Sequence, residues 1–118
     1  MDKIDIQKRT FKFGTEIINF VNLFPKTPAG FALGNQVVRS GTSIGANIFE
    51  AQSAGSKKDF IYCLTISLKE SRETKYWIEL AKKTNIVVNF DYTFLITEAE
   101  EIIKILVTII KNTKNNLK

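Results

Sequence analysis

Apolar residues along this chain recur at intervals of three and four in four long stretches, the spacing that places side chains on one face of an α-helix. The stretches predict helices over about 4–24, 28–52, 57–83 and 91–113. Pro25 ends the first helix, and Thr27 and Ser56 can cap the second and third. Because the links are short, the pattern predicts an all-α fold, an up-down-up-down antiparallel four-helix bundle formed by residues 1–118 as one domain.

Polar residues interrupt the inner face predicted for the second and third helices. A buried polar group without a hydrogen bond costs roughly 1 to 3 kcal/mol, so these groups are expected to bond one another across the two helices. The antiparallel register places Arg39 near Glu70 and Glu73, which predicts a buried or half-buried ion pair that fixes the register. The polar seam predicted in this way comprises Gln36, Arg39, Ser40, Ser43, Asn47, Glu50, Ser67, Glu70, Ser71 and Glu73.

Four glycines lie within the predicted second helix, where each costs a lone helix about 1 kcal/mol. They are Gly30, Gly34, Gly41 and Gly45. Gly41 and Gly45 are four residues apart and therefore share a face. We expect them to allow a neighbouring helix to approach closely.

Apolar residues beside the inner faces of the first and fourth helices exceed what one thin bundle can bury. They are Phe11, Ile18 and Val21 on the first helix and Ile96, Ile103 and Ile110 on the fourth. A wide apolar surface of this kind favours association with another protein surface. The sequence therefore predicts a homo-oligomer.

The chain offers little that could carry out catalysis. It has no histidine and one cysteine, Cys63, which removes Ser-His, Cys-His and histidine metal sites and excludes an internal disulfide. Glu50, Glu70 and Glu73 could surround a divalent metal, but basic residues at the same levels favour ion pairs. We expect no enzymatic activity, no metal and no cofactor.

The apolar runs and the cysteine count indicate where in the cell the protein is found. No apolar run approaches the roughly 18 residues that a membrane span needs, and no signal-like apolar segment opens the chain. A lone cysteine is typical of a reducing compartment. We expect a cytoplasmic protein that makes no contact with a membrane.

Charge is distributed unevenly over the predicted bundle. The chain has 17 basic and 12 acidic residues, a formal charge of +5. The antiparallel arrangement brings the start of the first helix, the turn between the second and third, and the end of the fourth to one end, here called the basic end. Its basic residues are Lys3, Lys8, Arg9, Lys12, Lys57, Lys58, Lys111, Lys114 and Lys118, against Asp2, Asp5, Glu50 and Asp59. The middle and the opposite end are each predicted to be neutral.

The run from Gln36 to Glu50, followed by Phe60, Leu64 and the stretch 67–77, resembles the 23S rRNA intervening-sequence protein family of bacterial four-helix bundles. Genes of this family lie in insertions within 23S ribosomal RNA genes or stand alone. The resemblance extends to accessory variability proteins of retroelements, in which a pentameric barrel with a basic surface binds nucleic acid. It implies a homo-oligomer, with a ring of five subunits.

Two functions from different classes fit these observations. The first is a non-enzymatic accessory protein that contacts structured RNA, such as rRNA, through Lys8, Arg9, Lys12, Lys57, Lys58, Lys111 and Lys114. The second is an oligomeric scaffold or adaptor that binds another protein and no nucleic acid. Exposed lysines also serve solubility alone, and Tyr76 and Trp77 could stack on bases or pack in a core.

Overall fold

The structure, a computed structural model, describes the backbone of residues 3–116 and the side chains of residues 6–116. Within that range the chain forms four α-helices and no strand. They are α1 (Lys3–Val21), α2 (Pro28–Ala51), α3 (Lys57–Thr84) and α4 (Thr93–Asn115). The predicted all-α four-helix bundle is confirmed. The side chains of Asp2, Lys3, Asp5 and Lys118, counted above at the basic end, lie outside the described residues.

The helix starts follow from side chains that satisfy the first free amides. Thr27 Oγ1 accepts a hydrogen bond from the Gly30 amide at 3.0 Å, and Ser56 Oγ accepts one from the Asp59 amide at 3.1 Å. Both predicted caps are confirmed, and such a cap stabilises a helix by about 1 kcal/mol.

Three helix ends differ from the prediction by two or three residues, one of them the end of α4, which lies at Asn115 rather than near residue 113. The first helix ends at Val21 rather than near residue 24, where the Phe24 amide closes a tight turn on the Val21 carbonyl at 3.0 Å. The residue before a proline is pushed out of the helical region, so the chain leaves the helix before Pro25. The fourth helix starts at Thr93 rather than at Asp91, because the Asp91 carboxylate lies ahead of it and accepts the Thr93 amide at 3.0 Å.

The link between α3 and α4 closes one end of the bundle. Val87 is buried, and the Tyr92 hydroxyl bonds both its amide and its carbonyl, at 2.9 and 2.7 Å. The ring of Tyr92 meets that of Phe20 from α1 at a centroid distance of 5.7 Å. Val87 thus acts as an apolar plug over this end of the bundle, while Val88 is exposed.

Close packing of α1 on α2 depends on the glycines. A Cβ atom on Gly41 would lie 2.7 Å from Cγ2 of Ile17, and one on Gly45 would lie 3.3 Å from the Thr10 backbone. The expected close approach is confirmed. The smallest helix interface in the bundle is between α1 and α4, and the described chain is 50 Å long and about 20 Å across, at 21 × 19 Å.

Candidate nucleic-acid interface and polar seam

The centre of the polar seam is a set of buried hydroxyl groups between α2 and α3. Ser67 Oγ donates to the Ile44 carbonyl at 2.8 Å, and the Thr74 hydroxyl bonds Ser40 Oγ at 2.9 Å. Ser71, also buried, donates to the Ser67 carbonyl within α3. Every buried side-chain nitrogen and oxygen in the described range has a hydrogen-bond partner. The polar interior therefore carries no unpaired group that calls for a ligand.

Part of the predicted seam is wrong, because the polar series of α2 lies beside the buried face and not on it. Gln36 and Glu50 are exposed. Ser43 and Asn47 are half-buried and bond carbonyls of their own helix, at 2.6 and 2.8 Å. Each of these four residues directly precedes a buried apolar residue, Val37, Ile44, Ile48 or Ala51. One residue turns the helix by about 100°, so the polar series points away from the buried face by that angle. Only Ser40 of the series reaches the interior.

Arg39 links α2 to α3 through two carboxylates. Its Nη1 donates to Glu70 Oε2 at 3.0 Å, and its Nη2 donates to Glu73 Oε2. The indole of Trp77 donates to the same Glu73 oxygen at 3.4 Å. The predicted pairing is confirmed, but the Arg39 side chain is 50% exposed, so the pair lies at the rim of the helix interface.

Arg9, predicted as a contact for nucleic acid, is bound within the protein. Its Nε and Nη2 donate to the two carboxylate oxygens of Glu98 at 2.6 and 2.8 Å, which ties α1 to α4. The hydrogen bond that Arg9 donates to Glu98 raises the pKa of Arg9 above its ordinary value. Arg9 is therefore not a free charge of the basic end.

The six lysines predicted at the basic end remain exposed. They are Lys8, Lys12, Lys57, Lys58, Lys111 and Lys114. No carboxylate of the described chain lies within 4.0 Å of any of them. The Lys57 ammonium donates to the Asn116 carbonyl at 3.2 Å, which places the start of α3 beside the end of α4. The lysines of these two helix ends are thus close in space.

Two acidic residues outside the basic end are held in ion pairs. Glu98 pairs with Arg9, and Glu79 pairs with Lys75. Lys75 also pairs with Glu100 of α4 at 3.2 Å, and the hydrogen bond that it donates to Glu100 raises the pKa of Lys75. At the opposite end Lys26, Lys82 and Lys83 are exposed, as is Asp91.

An open apolar groove of about 810 Å³ runs between α1 and α2. Phe11 and Phe49 line the groove and are 76% and 71% exposed, and Ile18 lines it further along α1. The prediction of surplus apolar surface is confirmed for Phe11 and Ile18. Phe49 was missed, because it lies among polar positions of α2.

The three apolar residues predicted to be surplus on the fourth helix are covered, although Phe94 and Val107 of the same helix are exposed. Ile110 is buried, and Ile96 and Ile103 pack against the core, as does Val21 of α1. The reason is that α4 contacts both α3 and α1, so a wide arc of its surface is covered.

The model of the 23S rRNA-intervening sequence protein family matches residues 2–108. The chain belongs to the 23S rRNA-intervening sequence protein family. A crystal structure from Bacteroides thetaiotaomicron VPI-5482, of a protein with unknown function from the S23 ribosomal protein family, has the same fold. It is 39% identical, the alignment covers 94% of this chain and 99% of that one, and the TM-score is 0.86. No curated protein is detectably similar to this chain.

Other chemistry in this member of the 23S rRNA-intervening sequence protein family is sparse. The described residues contain no group of three histidine, cysteine, aspartate or glutamate side chains able to hold a metal. Cys63 is half-buried. None of the four helices in the described range is long and apolar enough to cross a membrane.

Proposed function

We propose that this protein is a non-enzymatic accessory protein of the cytoplasm that binds structured RNA through its basic end. The observation that carries the proposal is a charge imbalance. The six lysines assigned to this end are exposed and come from three helices; Glu50 and Asp59 are assigned to the same end, and Glu98 and Glu101 of α4 lie near Arg9. None of the six is held by a carboxylate.

Unpaired lysines on flexible stems suit contacts with phosphates and not with base edges. Each phosphate that a lysine neutralises releases condensed counterions, so affinity falls as salt rises. Double-stranded RNA is recognised mainly by shape and by its backbone, which such contacts can follow. The family name makes ribosomal RNA the first candidate.

The test compares two triple variants that change charge equally. One replaces Lys8, Lys12 and Lys111 by glutamine, and the other replaces Lys26, Lys82 and Lys83 at the opposite end. Glutamine removes the charge and is a good helix former, so the fold is expected to persist. The probe is an RNA hairpin taken from 23S rRNA, titrated at several salt concentrations by fluorescence anisotropy.

We expect the basic-end variant to bind the hairpin more weakly and with a shallower salt dependence. Three lost phosphate contacts reduce the log-log slope by about 2.7, at roughly 0.9 per contact on a duplex. The opposite-end variant is expected to retain most of the wild-type slope. Equal behaviour of the two variants, or no binding by the wild type at low salt, refutes the proposal.

The apolar groove favours a second candidate function, that of an oligomeric scaffold. We propose that a second copy of this chain covers the groove, because large exposed phenylalanines beside small residues form a surface suited to burial. The ring of five implied by the family resemblance stays a prediction. Light scattering of Phe11→Ser and Phe49→Ser tests whether the groove is the interface. Phe31→Ser is the control, because Phe31 is exposed outside the groove.

If the groove forms the interface, the first two variants have a lower mass than the wild type and Phe31→Ser does not. A monomeric wild type at micromolar concentration contradicts self-association. An oligomer that binds no RNA at low salt leaves the scaffold as the better account of the function.

A further inference from the structure

The outer face of α3 carries a line of basic and aromatic side chains. Lys58, Tyr62, Lys69, Arg72 and Tyr76, here called the α3 stripe, follow one another at steps of four, seven, three and four residues. At about 100° per residue these steps stay within an arc of about 80°, and the stripe is about 27 Å long. All five residues are exposed, including Tyr62 at 68% and Tyr76 at 60%.

The positive charge of the α3 stripe is not visible in the sequence, because acidic residues alternate with basic ones between residues 69 and 75. The fold separates the two signs. Glu70 and Glu73 turn toward α2 and are held by Arg39, and Glu79 pairs with Lys75 on the flank that faces α4. Lys58, Lys69 and Arg72 have no carboxylate within 4.0 Å in the described chain.

The two tyrosines are placed as platforms and not as core residues. They are 14 positions apart, about 21 Å along the helix. The ring of Tyr76 contacts that of Trp77 edge to face at 5.1 Å, and Trp77 is itself bonded to Glu73. Tyr76 is therefore supported from one side and open on the other.

We propose that the α3 stripe binds a single-stranded segment of RNA, with phosphates on its basic residues and unpaired bases stacked on Tyr62 and Tyr76. Proteins that hold single strands combine a positive track with exposed aromatic rings in this way. A duplex has its bases stacked inside and does not use such rings. The like charges of the stripe also oppose pairing with the same face of a second copy. The proposal rests on the proposed function in taking RNA as the ligand.

The test uses a short unstructured oligouridine as the probe and polyglutamate as an anion without bases. Replacing Tyr62 and Tyr76 by alanine is expected to weaken oligouridine binding at least about fivefold for each ring. The matched control replaces both tyrosines by phenylalanine, which keeps the rings and is expected to keep the affinity. Binding of polyglutamate is expected to be the same for all three proteins.

The charge of the stripe is tested by Lys69→Gln combined with Arg72→Gln. We expect the log-log salt slope for oligouridine to fall by about 1.4, at roughly 0.7 per phosphate on a single strand. The control, Lys75→Gln with Lys104→Gln, removes the same charge from residues that are already ion-paired. It is expected to change the slope less.

The fluorescence of Trp77 gives an independent measure of where oligouridine binds. It is the only tryptophan and lies next to Tyr76, about 30 Å along α3 from the basic end. Oligouridine is expected to change its fluorescence in the wild type and not in the double alanine variant. Unchanged affinity in that variant, an equal loss in the phenylalanine control, or an equal loss for polyglutamate overturns the proposal. If hairpin binding still depends on Lys8, Lys12 and Lys111, the proposed function stands without the stripe.

Discussion

Two glycines in similar helical settings are expected to respond in opposite ways to the same substitution. Gly41 of α2 faces Ile17 of α1, and a Cβ atom there would lie 2.7 and 2.9 Å from Cγ2 and Cγ1 of Ile17. A Cβ atom on Gly14 of α1 would meet no atom within 4 Å. Alanine at either site removes the conformational cost of glycine, but at Gly41 it also forces the two helices apart.

The magnitudes follow from these two effects. Replacing a glycine inside a helix by alanine stabilises it by about 1 kcal/mol, and this is the whole effect expected for Gly14→Ala within one subunit. Overpacking a filled core costs about 1 to 3 kcal/mol, and Ile17 is fully buried, so the upper part of that range is expected for Gly41→Ala. The net result is a loss of about 1 to 2 kcal/mol for Gly41→Ala. The two variants then differ by about 2 to 3 kcal/mol.

Urea unfolding followed by circular dichroism measures the difference in the free energy of unfolding. The measurement is repeated at several protein concentrations, because self-association also shifts apparent stability. Ile17→Ala removes Cγ2 and Cγ1, the two atoms nearest the new side chain, so Gly41→Ala is expected to cost less in an Ile17→Ala background than in the wild type. If Gly41→Ala stabilises the protein as much as Gly14→Ala, the close packing of α1 on α2 is wrong.

Two further predictions concern ion pairs. Arg39→Ala is expected to cost roughly 1 to 3 kcal/mol, because Glu70 is left nearly buried without its partner. The control is Lys104→Ala, which breaks an exposed ion pair and is expected to cost less than about 1 kcal/mol. Equal losses of unfolding free energy in the two variants, measured by urea unfolding, would refute the special role of Arg39. The raised pKa of Lys75 predicts that the stability lost in Lys75→Gln is fully present below the ordinary value of 10.5 and disappears as the pH rises beyond it. A difference between wild type and Lys75→Gln that persists unchanged at higher pH contradicts this.

The bundle could be predicted from the sequence because several local signals agree. The apolar period, the capping residues Thr27 and Ser56, and the proline after the first helix all indicate the same four elements. The pairing of Arg39 with α3 followed from the antiparallel register alone. Each of these depends on residues close in sequence or on the simple geometry of two neighbouring helices.

What could not be predicted depends on small rotations and on side-chain reach. The polar series of α2 has nearly the same period as the buried series, so spacing alone does not distinguish the two faces, and Gln36 and Glu50 were placed inside. The contact of Arg9 with Glu98 depends on how far an arginine extends along the bundle. The separation of charge on α3 required knowing which carboxylates turn toward Arg39 and Lys75.

Acetylation of lysines in the presence and absence of RNA tests the central claim most directly. Mass spectrometry of the modified protein reports each lysine separately in the unaltered chain. With a 23S rRNA hairpin bound, the account predicts protection at the basic end and continued reactivity of Lys26, Lys82 and Lys83. The protected residues are expected to be Lys8, Lys12, Lys57, Lys58, Lys111 and Lys114. Protection that is uniform over the chain, or greater at the opposite end, would contradict it.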